Sequence, residues 1–425
     1  AWTDFSCMYD ASGDRFITGP EVGRTVTGRE VTHEELGGAH TLSASSGIAA
    51  FTAPDDKAVR DDVRFLLGFL PSNNLETAPV LDSGDPHDRT TPELLDLIPD
   101  SANVPYDMRK VVEAVADDNE FFEYFPRWAT NIICGFIRLG GQSIGVVGNQ
   151  PAAYAGVLDI EASEKAARFV RTCDAFNIPI ITFTDVPGFM PGTDQEWNGI
   201  IRHGAKLLYA YTEATVPKIT VVTRKAYGGA YDVMASKHML ADFNFAWPTA
   251  EVAVMGPEGA VNIIYRRDLA KSPTPDERRA TLIEDYKAHF ANPYAAAERG
   301  YIDDVIEPSQ TRPKLVKALR TLLNNLAAHP TRQHGQLTPF EPRTPFTRPH
   351  PSPSRRPPTP RPSRARRVYT RAHGPPADYP TPWTRRPPPL LHCLPPTRPT
   401  GYALQPQRAS RFPHTHDAST MPSTH

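Results

Sequence analysis

One pattern constrains this chain more than any other. Between residues 143 and 236 a short apolar run, a Gly- or Pro-bearing break and a helical stretch follow one another three times. Residues 143–148 (SIGVVG) read as a strand that stops at Asn149-Gln150-Pro151, and residues 162–176 then read as a helix. In that helix Ala166, Phe169, Val170 and Cys173 share a face, while Glu164, Lys165, Arg168 and Arg171 fall mostly outside it. Residues 178–185 (IPIITFTD) form a second strand, broken by Val186-Pro187-Gly188-Phe189-Met190-Pro191-Gly192. A helix over 198–215 follows, with Ile201, Ala205, Leu208 and Tyr211/Thr212 on one side. Residues 218–223 (KITVVT) form a third strand, broken at Tyr227-Gly228-Gly229, and a helix opens at Gly229. Strands alternating with helices predict an α/β fold with a mostly parallel sheet and right-handed crossovers. Each break follows its strand, so all three lie at the strands' carboxyl ends, the edge where open α/β sheets bind ligands.

The rest of the chain divides around this block. Residues 1–75 mix short apolar runs with Gly and charge and close on a helix over 56–70, where Val59, Val63, Leu66, Leu67 and Leu70 recur at helical spacing. Residues 71–105 are rich in Pro, Asp, Ser and Asn and read as a connector. Two short apolar runs flank Trp247-Pro248, and a helix is expected over 260–269. The formal net charge of −2 conceals an asymmetry: residues 331–425 hold 23 of the 45 prolines, 15 arginines and no lysine against Glu341, Asp378 and Asp417. Such a segment lacks the apolar area needed to offset its ordering entropy, which predicts a disordered extension. The acidic body argues against nucleic-acid binding, and no apolar run is long enough to span a membrane. Four scattered cysteines without ligand spacing fit a reducing, cytoplasmic setting and no structural metal. The chain begins at Ala1, as expected of an N-terminally truncated piece.

The stretch from Lys225 to Asp232 (KAYGGAYD) carries the clearest chemistry. Glycines at a strand-to-helix turn allow close backbone approach, and the first amides of a helix are unpaired and can steady an oxyanion. The same turn can equally be plain packing of a helix onto a strand. Asp185 and His203 are candidates for acid–base work, or else a packed polar residue and a helix cap. Asp232 either lines a pocket or serves as a first-turn carboxylate. Arg202, Lys206 and Arg266-Arg267 could meet anions or stay solvated.

Longer motifs then add a resemblance. They include 16–22 (FITGPEV), 35–39 (ELGGA), 70–74 (LPSNN), 145–151 (GVVGNQP), 173–179 (CDAFNIP), 185–193 (DVPGFMPGT), 199–206 (GIIRHGAK), 225–234 (KAYGGAYDVM) and 247–251 (WPTAE). In these the chain resembles the carboxyltransferase β chains of propionyl-CoA carboxylase and related biotin-dependent acyl-CoA carboxylases. The resemblance implies a crotonase-like (ClpP/crotonase) α/β fold. Residues 1–75 would be the end of a first carboxyltransferase domain, 76–330 the second domain, and 331–425 an extension without counterpart, such as a frameshifted or read-through stretch. It implies oxyanion-hole amides at Gly229 and Ala230, and a substrate pocket involving Gly228, Asp232, Asn149, Gln150, Pro151 and Gly156. It further implies biotin, delivered as carboxybiotin on a carrier domain of a partner biotin carboxylase α chain, an acyl-CoA substrate of the propionyl or acetyl type, and a hexamer. A fragment competent only for assembly, and a biotin-dependent decarboxylase subunit, are the alternatives.

Overall fold

The computed structural model describes residues 4–323 apart from 11, 74, 100, 102 and 103. The expected extension over 331–425 therefore lies outside the described residues. Ten strands are named here in chain order: β1 (Cys7–Tyr9), β2 (Phe51–Ala53), β3 (Phe122–Tyr124), β4 (Ile132–Leu139), β5 (Gln142–Asn149), β6 (Ile180–Val186), β7 (Lys218–Tyr227), β8 (Phe243–Ala246), β9 (Glu251–Ala253) and β10 (Asp304–Val305). The order β10-β8-β7-β6-β5-β4-β3, with β9 also paired to β7, makes one sheet. From β5 to β10 the pairing is parallel; β3 and β4 add an antiparallel edge.

The parallel strands are apolar on both faces because helices cover both. Ile144, Val146, Ile181, Phe183, Ile219 and Val221 pack with the Met108–Val115 and Thr311–Leu322 helices. Their neighbours Val147, Ile180 and Val222 face the other way, onto the Ile160–Ala175 and Ile200–Glu213 helices. The three strands and breaks expected from the sequence are all present. The β4–β5 hairpin was not anticipated, although its Gly140-Gly141 turn, with both φ positive, is a hairpin signal.

Two helix faces differ from expectation. In Ile200–Glu213 the buried side is Ile200, Gly204, Leu207, Ala210 and Tyr211, while Ile201 is 80% exposed. Phe189 rests on Gly204, where an added Cβ would lie 3.0 Å from the ring, so the missing side chain turns that face inward. In Asp56–Phe69 the buried residues are Leu66 and Phe69, while Val63 and Leu67 are exposed. Apolar periodicity finds a helix more reliably than the orientation of its stripe.

Lys165 is a further correction. Its side chain was expected outside the core but is fully buried. Its ammonium donates to the carbonyl oxygens of Phe125 (2.9 Å), Trp128 (2.8 Å), Ala129 (3.3 Å) and Ile132 (2.8 Å). Burial pushes its pKa down, yet the loop between β3 and β4 presents these carbonyls to one cation. Lys165→Met should remove the one charged donor these carbonyls share, leaving Phe125 and Ala129 only their backbone amide partners, and cost about 2–4 kcal/mol. Urea unfolding measures this; a loss below about 0.5 kcal/mol would mean the loop satisfies itself in another way.

The N-terminal segment packs on the β3–β4 edge through aromatic rings. Phe5 meets Tyr124 at 5.6 Å, Phe51 meets Phe122 at 4.9 Å, and Phe69 meets Phe136 at 5.7 Å between ring centres. Its strands β1 and β2 form a separate parallel pair of three residues each.

Candidate active site

The carboxyl ends of β5, β6 and β7 are finished by side chains where the backbone ladder stops. Between Thr184 and Val186 the β6–β7 register shifts, from Thr184 opposite Val222 to Val186 opposite Ala226. Residues 223–225 therefore bulge opposite Asp185. The Asp185 carboxylate fills the gap: Oδ1 accepts from the Lys225 amide (3.1 Å) and Oδ2 from Arg224 Nε (3.0 Å). Asn149 Oδ1 in turn accepts from the Asp185 amide (3.3 Å), and Asn149 Nδ2 donates to the Gly156 carbonyl (3.2 Å). A side-chain relay thus joins three adjacent strands along one edge.

Asp185 is wholly buried, as is nearly all of Arg224. Burial pushes the Asp185 carboxyl up, and the Arg224 guanidinium and Lys225 amide oppose that. Arg224 also donates to the carbonyls of Ser101 (3.2 Å) and Val104 (2.9 Å) and lies 4.9 Å over the Tyr106 ring, which ties these three residues to this edge. Of the two readings of Asp185, the packed polar residue is the one its burial supports.

β7 ends in the Gly228–Asp232 helix, capped at Tyr227. Gly228 and Gly229 differ. Gly228 has φ +56°, and an added Cβ would lie 2.8 Å from the Val254 carbonyl oxygen, so the turn itself requires glycine. At Gly229 an added Cβ meets nothing within 4 Å and φ is not positive. Its backbone faces open space, whereas Ala230 is buried. Among the described residues no acceptor is found for the Gly229 or Ala230 amides, which occupy the first turn where a helix leaves its N–H groups unpaired.

The other candidates are placed as follows. Asn149 and Gln150 are buried and committed to the fold. The Gln150 amide nitrogen donates to Asp107 Oδ1 (2.5 Å), and its Oε1 accepts from the Met108 amide (3.1 Å). Pro151 is buried beside them. Gly156, at φ +74°, approaches the Asp185 carbonyl so closely that a Cβ would sit 2.6 Å from it. These four shape the edge from within instead of presenting side chains to it. Asp232 is 42% exposed and lies 3.4 Å from His238 Nδ1. His203 Nδ1 is 2.5 Å from Glu164 Oε1, which also accepts from Lys206. Arg202, Arg266 and Arg267 are exposed. Sequence reasoning missed Tyr227 and Glu251, whose side chains meet beside the Gly228-Gly229 turn. The pairing of Lys225 with Glu251 across β7 and β9 brings them together, and no local spacing announces it. Among the described residues no group of three or more His, Cys, Asp or Glu is arranged to hold a metal, and no helix is long and apolar enough to cross a membrane.

The family model of the carboxyl transferase domain matches residues 1–337. The chain belongs to that family. The chain is 57% identical over 337 residues to the propionyl-CoA carboxylase carboxyltransferase subunit of Haloferax mediterranei, covering 79% of this chain and 65% of that protein. It is 53% identical over 337 residues to the methylmalonyl-CoA decarboxylase subunit alpha of Veillonella parvula, with the same coverage. Among solved structures it matches transcarboxylase 12S, crystallised as a hexamer with methylmalonyl-coenzyme A and methylmalonic acid bound, at TM-score 0.76 and 48% identity over 79% of this chain and 64% of that one. A single-chain long-chain acyl-CoA carboxylase shares the fold at TM-score 0.64 and 24% identity, over 74% of this chain and 31% of its own. The expected α/β, crotonase-like carboxyltransferase fold is the one found. The chain spans just under two thirds of the length of the curated relatives it matches.

Proposed function

We propose that this chain is the carboxyltransferase component of a biotin-dependent acyl-CoA carboxylase and moves a carboxyl group to the α-carbon of propionyl-CoA or acetyl-CoA. The observation that carries this is the pair of amides at Gly229 and Ala230, unpaired within the turn and bordered by open space at Gly229. Removing the α-proton of a thioester puts negative charge on an oxygen, and two fixed N–H donors lower that barrier without an ionisable side chain. The bare backbone at Gly229 fits the approach of a flat carbonyl or ureido group. Carboxybiotin, held on a carrier domain of a partner α chain, would supply the carboxyl group and the base for the α-proton. This chain's residues hold the oxyanion, with Asp232 on the next turn bordering the acyl pocket. Asn149, Gln150, Pro151 and Gly156 fix the neighbouring loop, and Gly228 sets the turn.

Residues 1–75 are assigned to the end of a first carboxyltransferase domain and 76–330 to the second. The support is β1–β2: two parallel three-residue strands are too few to form a core of their own. Oligomerisation is supported by apolar side chains exposed on helices beyond the carboxyl ends of β6 and β9, Trp197 (82%), Ile201 (80%), Ile263 (66%) and Ile264 (62%). Because the chain spans under two thirds of its relatives, a fragment competent for assembly and not for catalysis is the second reading.

The test is carboxyl exchange between methylmalonyl-CoA and a biotinylated carrier protein. The chain is assayed alone and with a polypeptide supplying the part of the Haloferax relative that it lacks. Activity with both pieces supports the reading. If neither mixture transfers a carboxyl group while both pieces are folded and associated, the reading fails. Net release of CO2 without a labelled carrier would instead support a decarboxylase.

A further inference from the structure

The helical arm after β9 makes a polar connection back to the turn. The Pro257–Ile264 and Pro275–His289 helices share a small core of Val261, Leu269 and Leu282. From the second of them Lys287 Nζ reaches Glu251 Oε1 at 3.4 Å. The other carboxylate oxygen of Glu251 accepts the hydroxyl of Tyr227. Glu251 is largely buried, 15% exposed, and Lys287 is 37% exposed. Tyr227 is the cap residue immediately before Gly228. Its ring lies against Gly256, where an added Cβ would be 3.1 Å from Cε2. Burial and the carboxylate push the Tyr227 phenol up, so it remains a donor at neutral pH. The pairing of β7 with β9 ends at Tyr227 opposite Ala253, and Val254, the next residue, carries the carbonyl that crowds Gly228.

We infer that Tyr227, Glu251 and Lys287 form a strut that fixes the direction of the Gly229 and Ala230 amides, with Glu251 and Tyr227 as positioning residues. The inference rests on the oxyanion role proposed above for those amides. The ring is held at its hydroxyl by Glu251 and on its face by Gly256, which leaves the cap little rotational freedom. Donors must point at the developing charge to within a narrow angle, so slack at the cap is felt one and two residues later. The arm's position is transmitted to the same point through Lys287. A role confined to stability would not favour the transition state over bound substrate.

The experiment compares Tyr227→Phe, Glu251→Leu, Glu251→Gln and Lys287→Met in the full chain. Amide hydrogen exchange of the peptide covering 225–233 is read on the chain itself, and kcat and KM are read in the two-piece exchange assay. Tyr227→Phe and Glu251→Leu should speed exchange of that peptide at least about fivefold and lower kcat about tenfold, with KM within about twofold. Glu251→Gln keeps an oxygen for the phenol and should restore most of both. Lys287→Met, on the partly exposed end, should give a smaller change in the same direction and keeps the test open if a buried variant does not fold. Unchanged exchange in Tyr227→Phe, no recovery with Glu251→Gln, or a rise in KM equal to the fall in kcat would each overturn the strut. If the unsubstituted chain, folded and associated with its complementing piece, shows no carboxyl transfer, the oxyanion reading fails and the amide-exchange data still decide the strut.

Discussion

Gly229→Pro should abolish most carboxyl transfer while leaving the fold nearly as stable. Proline removes one of the two proposed donors and nothing else that the chain uses: that amide has no acceptor among the described residues, and the surrounding space is open. Proline is also tolerated in the first turn of a helix, where N–H groups are unpaired in any case. Loss of a single oxyanion donor lowers kcat about 10²–10³-fold, or about 3–4 kcal/mol of transition-state stabilisation. The expected result is that drop in the two-piece exchange assay with a urea midpoint displaced by no more than about 1 kcal/mol equivalent. Gly229→Ala is the companion variant. It keeps the N–H and meets no atom within 4 Å among the described residues, so any loss it causes reports what approaches from outside them. A Gly229→Pro variant with full activity would remove the amide from the mechanism.

The largest effect on stability is expected at Asp185. Substituting leucine leaves the Arg224 guanidinium buried, 5% exposed, with two backbone carbonyls and the Tyr106 ring beside it and no carboxylate in contact. Removing one partner of such a pair costs about 3–5 kcal/mol, because the remaining charge is uncompensated. It also strips the Lys225 amide of its acceptor at the bulge. Asp185→Leu should therefore unfold at much lower urea. The double variant Asp185→Leu/Arg224→Met should recover much of the loss, since neither charge then remains. If the single variant loses under about 1 kcal/mol, water reaches Arg224 and the pair is not as dry as its burial indicates.

These two positions show what could and could not be read ahead of the structure. The strand–break–helix repeat placed 148–151, 186–192 and 227–229 on one edge, and parallel pairing of β5, β6 and β7 puts them there. That worked because hydrophobic run length and Gly/Pro punctuation are local properties. Gly228 and Gly229 read alike as letters, and only the backbone angle and the Val254 carbonyl separate them. Asp185 was one of two open readings, since a strand-end carboxylate can face a cleft or fill a bulge. The partner that decides it, Arg224, is 39 residues away. Asn149 and Gln150 belonged to a motif whose meaning was taken from family resemblance. The structure gives their side chains internal partners. Lys165 was placed outside the core because its charge outweighs its position in any periodicity argument, and four carbonyls converging from another loop are invisible to helical spacing. Long-range polar pairing is the part that sequence order conceals.

The contrast between the paired glycines at 228 and 229 has an evolutionary consequence. A lineage that kept this polypeptide as scaffolding after losing its chemistry would still be held to glycine at the first position, because the backbone there excludes every side chain. The second would be released to drift towards alanine, serine or larger residues at no folding penalty. The pattern of variation at two adjacent letters would then separate working copies from retired ones without a single assay.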